Sequence, residues 1–143
     1  MTKDAIISIT GLQFETDVDE AIEVVSRGEY HFKNGKHFLT YEEFMEEENA
    51  SSRCIMKISQ NVVELTKKGA SNVHMLFEKG STNMTYYNTP YGELLLTITT
   101  QEIKLTEEEH QISLLLRYNL DMNYQHVSEC ELRVRVDAVA KEI

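Results

Sequence analysis

Residues 111–120 read QISLLLRYNL. Ile112, Leu114, Leu116, Tyr118 and Leu120 fall on one side of an extended chain, while Gln111, Ser113, Arg117 and Asn119 fall on the other. Successive side chains of an extended backbone point to opposite faces, so this alternation marks a strand with one dry face. Working outward, the same period recurs in short segments: 6–14, 22–27, 37–45, 53–59, 62–67, 73–77, 82–88, 93–105 and 128–137. About eight to ten strands at short spacing, with almost no helical period, predict an all-β fold, an antiparallel sandwich or barrel.

The punctuation between the segments is turn chemistry. Asn34-Gly35 stands between two β-type runs, and a type I′ hairpin needs positive φ at both central residues, which Asn and Gly tolerate. Gly28 interrupts the alternation ahead of Tyr30 and Phe32, which predicts a bulge or sharp bend. The acidic stretches 15–20 and 107–109 read as turns, as do 60–61, 68–70, 79–80 and 121–125, and the only proline, Pro90, breaks a strand. EEENASS, from Glu46, reads as a polar loop, since no cap and no apolar stripe support a helix over 42–49. Following the dry phase assigns an interior of Val24, Leu39, Cys54, Met56, Ile58, Val63, Leu65, Val73, Met75, Phe77, Leu94, Leu96, Ile98, Leu114, Leu116, Cys130, Leu132, Val134 and Val136. Such aliphatic filling, without tryptophan, suits either a packed core or a modest apolar cavity.

Length and charge narrow the partners. The 143 residues show no internal repeat or linker and are read as a single β-barrel domain, residues 1–143. Fourteen basic against twenty-four acidic residues give a formal charge of −10, which disfavours nucleic acid. A membrane-spanning helix needs about 20 apolar residues, and the longest uninterrupted apolar runs are about three, such as 94–96 and 114–116. Asp4 precedes any long apolar run, so no secretory core is read, and the expected location is cytoplasmic, with no membrane association.

Cys54 and Cys130 are too few for a disulfide framework and too far apart for a CxxC motif, and both sit on the apolar phase, so they are read as buried, inert thiols. No phosphate-cradling glycine loop and no GxSxG elbow is present. The five histidines, His31, His37, His74, His110 and His126, lack ligand spacing and are read as exposed or capping, so no metal and no cofactor are expected. Arg53, Lys57, Arg117, Arg133 and Arg135 fall on the outer phase with Glu131 and Asp137, a pattern that predicts cross-strand charge pairs. Glu43 shares a phase with Leu39, Tyr41 and Met45. Either it faces the interior and requires a partner, or the strand ends at Tyr41 and the carboxylate reaches solvent at the rim.

Several of these stretches together resemble the YwiB-like family of small bacterial proteins: Gly28 with Tyr30, FLTYEE at 38–43, Lys57 with Ile58, Gly69 ahead of Phe77 and Gly80, and above all YNTPYGELLLTITTQEI at 87–103. The resemblance covers residues 4–137 and is most specific at Tyr87, Tyr91, Gly92, Leu94 and Tyr118. It implies a calycin-type barrel, the architecture shared with lipocalins, whose relatives bind small hydrophobic molecules; it implies no catalytic residues. Tyr41, Tyr87, Tyr91 and Tyr118 match the family pattern. They are candidates, with Glu43, to line a ligand pocket, or they are large plugs that fill the barrel. The reading at this level is a noncatalytic barrel binding a small, partly apolar ligand. The alternatives are an interaction module that forms a homodimer or docks a partner through outer residues such as Leu95 and Leu115, and an enzyme built around Glu43 and nearby tyrosines.

Overall fold

The computed structural model describes residues 3–11, 23–45, 50–70, 72–89 and 92–139. Ten strands follow one another: β1 (Lys3–Thr10), β2 (Glu23–Lys33), β3 (Lys36–Met45), β4 (Ala50–Ile58), β5 (Val62–Gly69), β6 (Val73–Glu78), β7 (Thr82–Thr89), β8 (Gly92–Glu107), β9 (Gln111–Met122) and β10 (Gln125–Ala138). They form one antiparallel sheet in the order β6-β5-β4-β3-β2-β1-β10-β9-β8-β7. Each strand therefore lies beside its neighbours in sequence, and β1 pairs with β10 to join the chain ends, as in an up-and-down barrel. The remaining seam, between β6 and β7, is stitched at one end by the Asn72–Asn88 bridge, with both N–H···O distances 2.9 Å. At the other end Gly80 donates to the Thr100 carbonyl at 2.9 Å. The barrel is nearly closed.

Two hairpins turn on paired left-handed residues. Asn34 and Gly35 have φ of 53° and 76°, the type I′ geometry expected of the dipeptide. Asn123 and Tyr124 do the same at 49° and 68°, and Asn123 anchors its turn by accepting the Leu95 N–H at 3.0 Å.

The dry phase is the core. Leu39, Met56, Ile58, Leu65, Met75, Phe77, Leu96, Ile98, Leu116 and Tyr118 are almost fully buried, and each such side chain contributes about 1.5–3 kcal/mol of transfer free energy. Sixteen of the expected interior residues are buried; Leu94 and Cys130 are half-buried against them. Val24 differs, at 46% exposed. The β2–β3 ladder stops at Glu29–Thr40, so residues 23–28 are paired to β1 alone and the inner side of Val24 lies uncovered. Gly28 sits at that fork. It makes no bulge, because the β1–β2 register runs through Ala5–Gly28 unbroken. Its role is close approach: an added Cβ would stand 2.7 Å from Ile7 Cδ1 and inside contact distance of the Thr40 carbonyl.

β3 runs through Met45, as the alternation over 37–45 predicted, while β4 begins at Ala50, three residues before the expected start. Residues 46–49, 12–20 and Pro90 lie outside the described residues. β8 carries a bulge between Thr100 and Glu102, which moves its inner phase from Leu96, Ile98 and Thr100 to Ile103 and Leu105 and lets one 16-residue strand stay in register with β9. On the outer face Arg117 lies 3.4 Å from Glu131, its directly opposed partner, and 3.7 Å from Glu102; Arg135 lies 2.9 Å from Asp137. Arg117–Glu131 is a cross-strand pair of the expected kind, whereas Arg135 and Asp137 lie two residues apart on β10; each is worth less than about 1 kcal/mol at such exposure. No helix among the described residues is long and apolar enough to cross a membrane.

Candidate functional site

Among the described residues, charged and imidazole side chains enter the barrel at two places. The first is the inner row in which Tyr41 pairs with Cys54, Cys54 with Lys67, and Lys67 with Val73, in direct register across β3, β4, β5 and β6. Lys67 is on the inner phase of β5, after Val63 and Leu65, and its side chain is 3% exposed. Glu43, one inward position beyond Tyr41, receives both of its hydrogen bonds, at 3.0 and 3.2 Å. The carboxylate is itself 34% exposed. Glu43 thus faces inward, as its phase required, and its partner is a lysine that the sequence reading passed over. Burial keeps the neighbours neutral: the Tyr41 hydroxyl is held well above its usual range, mainly by desolvation, and the Cys54 thiol is pushed up to about 11 despite the nearby Lys67 charge. The Tyr41 hydroxyl lies buried beside that thiol without a well-formed hydrogen bond.

The other candidate tyrosines stand apart from this pair. Tyr118 is in the core on β9, edge-on to Phe77 with ring centroids 4.9 Å apart, and its hydroxyl, held protonated by burial, faces the Cys130 thiol on β10. Tyr87 is buried on β7 opposite Leu94, next to the Asn72–Asn88 bridge. Tyr91 lies outside the described residues. Leu95 and Leu115 are half-buried on the outer face.

The second place is an open cleft of about 410 Å³ at the barrel end that carries the Asn34-Gly35 hairpin and the β8–β9 turn. Tyr30, Phe32, His37 and Ile112 form its wall, and Asp4, Glu107, Glu108 and Glu109 edge it. At its base Tyr30 Oη lies 2.8 Å from His37 Nδ1, and His37 Nε2 lies 2.8 Å from Glu107 Oε1. One neutral tautomer satisfies both contacts: the phenol donates to Nδ1 and the Nε2–H donates to the carboxylate. Burial, reinforced by the Glu107 charge, raises the Tyr30 pKa above its ordinary value and so keeps this phenol a donor. The His37 ring packs against two others, 5.8 Å from the Tyr30 ring and 4.9 Å from Phe32, and its side chain is 6% exposed.

His37 corrects the expectation of exposed or capping histidines. His74, His110 and His126 are exposed and His31 is half-buried, but His37 is buried and bonded at both nitrogens. The signal was present in its phase, which it shares with Leu39 and Tyr41. Its partner, 70 residues away on a strand that is not a sheet neighbour of β3, was not readable.

Among proteins of known sequence and structure, the family model described as "Domain of unknown function (DUF1934)" matches residues 7–134. The uncharacterized beta-barrel protein YwiB of Bacillus subtilis (strain 168) is 29% identical over 110 residues, 76% of each chain. The crystal structure of the ywiB protein from Bacillus subtilis is similar with a TM-score of 0.81 at 23% identity, over 97% of this chain and 94% of that one, a likeness of fold.

Proposed function

From its place in the DUF1934 family, to which the chain belongs, we propose that it is a noncatalytic, cytoplasmic, single-domain binding barrel, lipocalin-like in use, that seats a small, partly apolar ligand in the Tyr30–His37–Glu107 cleft rather than along the barrel axis. The carrying observation is the buried His37, packed against two rings and held by two hydrogen bonds so that the cleft base is fixed before anything binds. Two facts support the location. The axis is occupied by Phe77, Tyr118, Met56, Leu65 and their neighbours, each less than 2% exposed. The cleft volume, about 410 Å³, is within the range of small-molecule sites, about 300–1,000 Å³. The ion-paired outer face suits water rather than lipid.

Native mass spectrometry of gently purified protein tests this reading. A reproducible added mass that is released on denaturation and reduced in Phe32→Ala supports it; an adduct that survives Phe32→Ala unchanged places the ligand elsewhere and refutes the location. A second reading, an interaction barrel, is favoured by the exposed Met84 and Tyr86 on β7, a strand whose outer edge carries one bridge among the described residues. The same spectrum decides it: a bare dimer supports it, and a ligand-bearing monomer removes it.

A further inference from the structure

We infer that the ligand of the barrel-end cleft is an organic cation, an ammonium or guanidinium group on a small apolar body, because the groups that form the base of the cleft have their hydrogens already committed and turn acceptors toward it. The inference rests on the cleft being a binding site. In the neutral tautomer that satisfies both His37 contacts, Tyr30 directs its hydroxyl hydrogen to His37 Nδ1, which leaves the phenol oxygen only lone pairs to present. Both nitrogens of His37 are engaged. Glu107 uses Oε1 to hold the imidazole, and its other oxygen has no partner among the described residues, on a side chain that is 57% exposed.

The surrounding donors are partly committed: one N–H of the Gln111 amide reaches Asp137 at 2.8 Å, the backbone N–H groups of Glu108 and Ala138 donate to the carbonyls of Gln111 and His110 at 2.8 and 3.0 Å, and the exposed His110 ring lies 3.8 Å from Glu109. Among the described residues no lysine or arginine side chain lines the cleft, and of its other carboxylates Asp4 faces Arg27 only at 3.9 Å with both groups about two-thirds exposed. A carboxylate or phosphate ligand would therefore meet the like charge of four carboxylates, and a neutral alcohol or ether would leave Glu107 without a charge partner. An N–H cation satisfies Glu107 and Tyr30 together. Its apolar body then lies on the Phe32 ring, 54% exposed, whose face also attracts positive charge.

The test uses three probes of one shape on the full-length protein: 2-phenylethylammonium, 2-phenylethanol and phenylacetate, titrated while amide chemical shifts are followed. The expected result is that the ammonium alone shifts residues around Tyr30, His37 and Glu107. Its affinity is expected to fall about tenfold in Glu107→Gln, which keeps an acceptor for His37 but loses the charge, and about threefold in Phe32→Ala. Glu129→Gln, which removes the same charge from an exposed position on β10, is expected to leave the affinity unchanged. If the alcohol or phenylacetate binds the cleft as tightly as the ammonium, the cationic class is wrong and the cleft reading stands. If none of the three shifts the cleft, or the ammonium shifts only other surfaces, both are overturned. Equal weakening by Glu107→Gln and Glu129→Gln would reduce the effect to the net charge and refute the inference.

Discussion

Removing the two members of the Glu43–Lys67 pair one at a time should have unequal consequences. The Lys67 side chain is 3% exposed and Glu43 is 34% exposed, with the ammonium bonded to both carboxylate oxygens at 3.0 and 3.2 Å. Breaking a fully buried pair costs about 3–5 kcal/mol, because the charge left behind has no water to return to. Glu43→Gln leaves that charge on Lys67 but keeps one acceptor oxygen, which reduces the expected loss to about 2 kcal/mol. Lys67→Met instead leaves a carboxylate that already touches solvent, while the methionine fills the space among Cys54 and Val73; that change should cost less than about 1 kcal/mol. At this chain length about 2 kcal/mol corresponds to a fall in Tm of about 8 °C. Urea unfolding followed by far-ultraviolet circular dichroism measures both, and the m-value should not change. The double variant should resemble Lys67→Met, with the loss from Glu43→Gln recovered. A Lys67→Met protein less stable than Glu43→Gln, or a double variant whose losses simply add, would refute the reasoning.

Gly28→Ala should destabilise by about 2–3 kcal/mol, since the new methyl would meet Ile7 and the Thr40 carbonyl at the β2–β3 fork; a thermal melt equal to the parent would show that the fork has room to spare. Gly35→Ala should cost about 1 kcal/mol, from φ of 76° at a turn where an added Cβ meets nothing, and chemical denaturation would detect it. The Cys54 thiol, pushed up from 9.0 to about 11, is only about one part in a thousand thiolate at pH 8, so alkylation of the folded protein should modify the half-buried Cys130 first. Because that folded pKa is the higher one, the native state holds its proton while the unfolded chain loses it. Stability is therefore unaffected below about pH 9 and falls by up to about 3 kcal/mol between pH 9 and 11. Cys54→Ala should flatten that decline, and an unchanged pH profile would count against burial as the cause.

Local rules carry far in this chain. The alternation in QISLLLRYNL is reproduced residue for residue, with Ile112, Leu114, Leu116, Tyr118 and Leu120 buried, and Asn34-Gly35 turns as its φ requirements demand. The inward phase of Glu43 was equally legible, because facing follows from the two-residue repeat alone once the strand reaches Met45. The extra residue of the β8 bulge was not, since one inserted position alters only which later residues share a face. The fate of Val24 depended on where β2 leaves β3, a property of two strands rather than of one. Partnerships were settled by closure of the sheet. Lys67 meets Glu43 only because β3, β4 and β5 pair in one register, and His37 reaches Glu107 only because the joining of β1 to β10 curves the sheet until β3 and β8 face each other across one end. A repeat of two residues says which side chains point inward; the registers and the curvature of the closed sheet decide which of them meet.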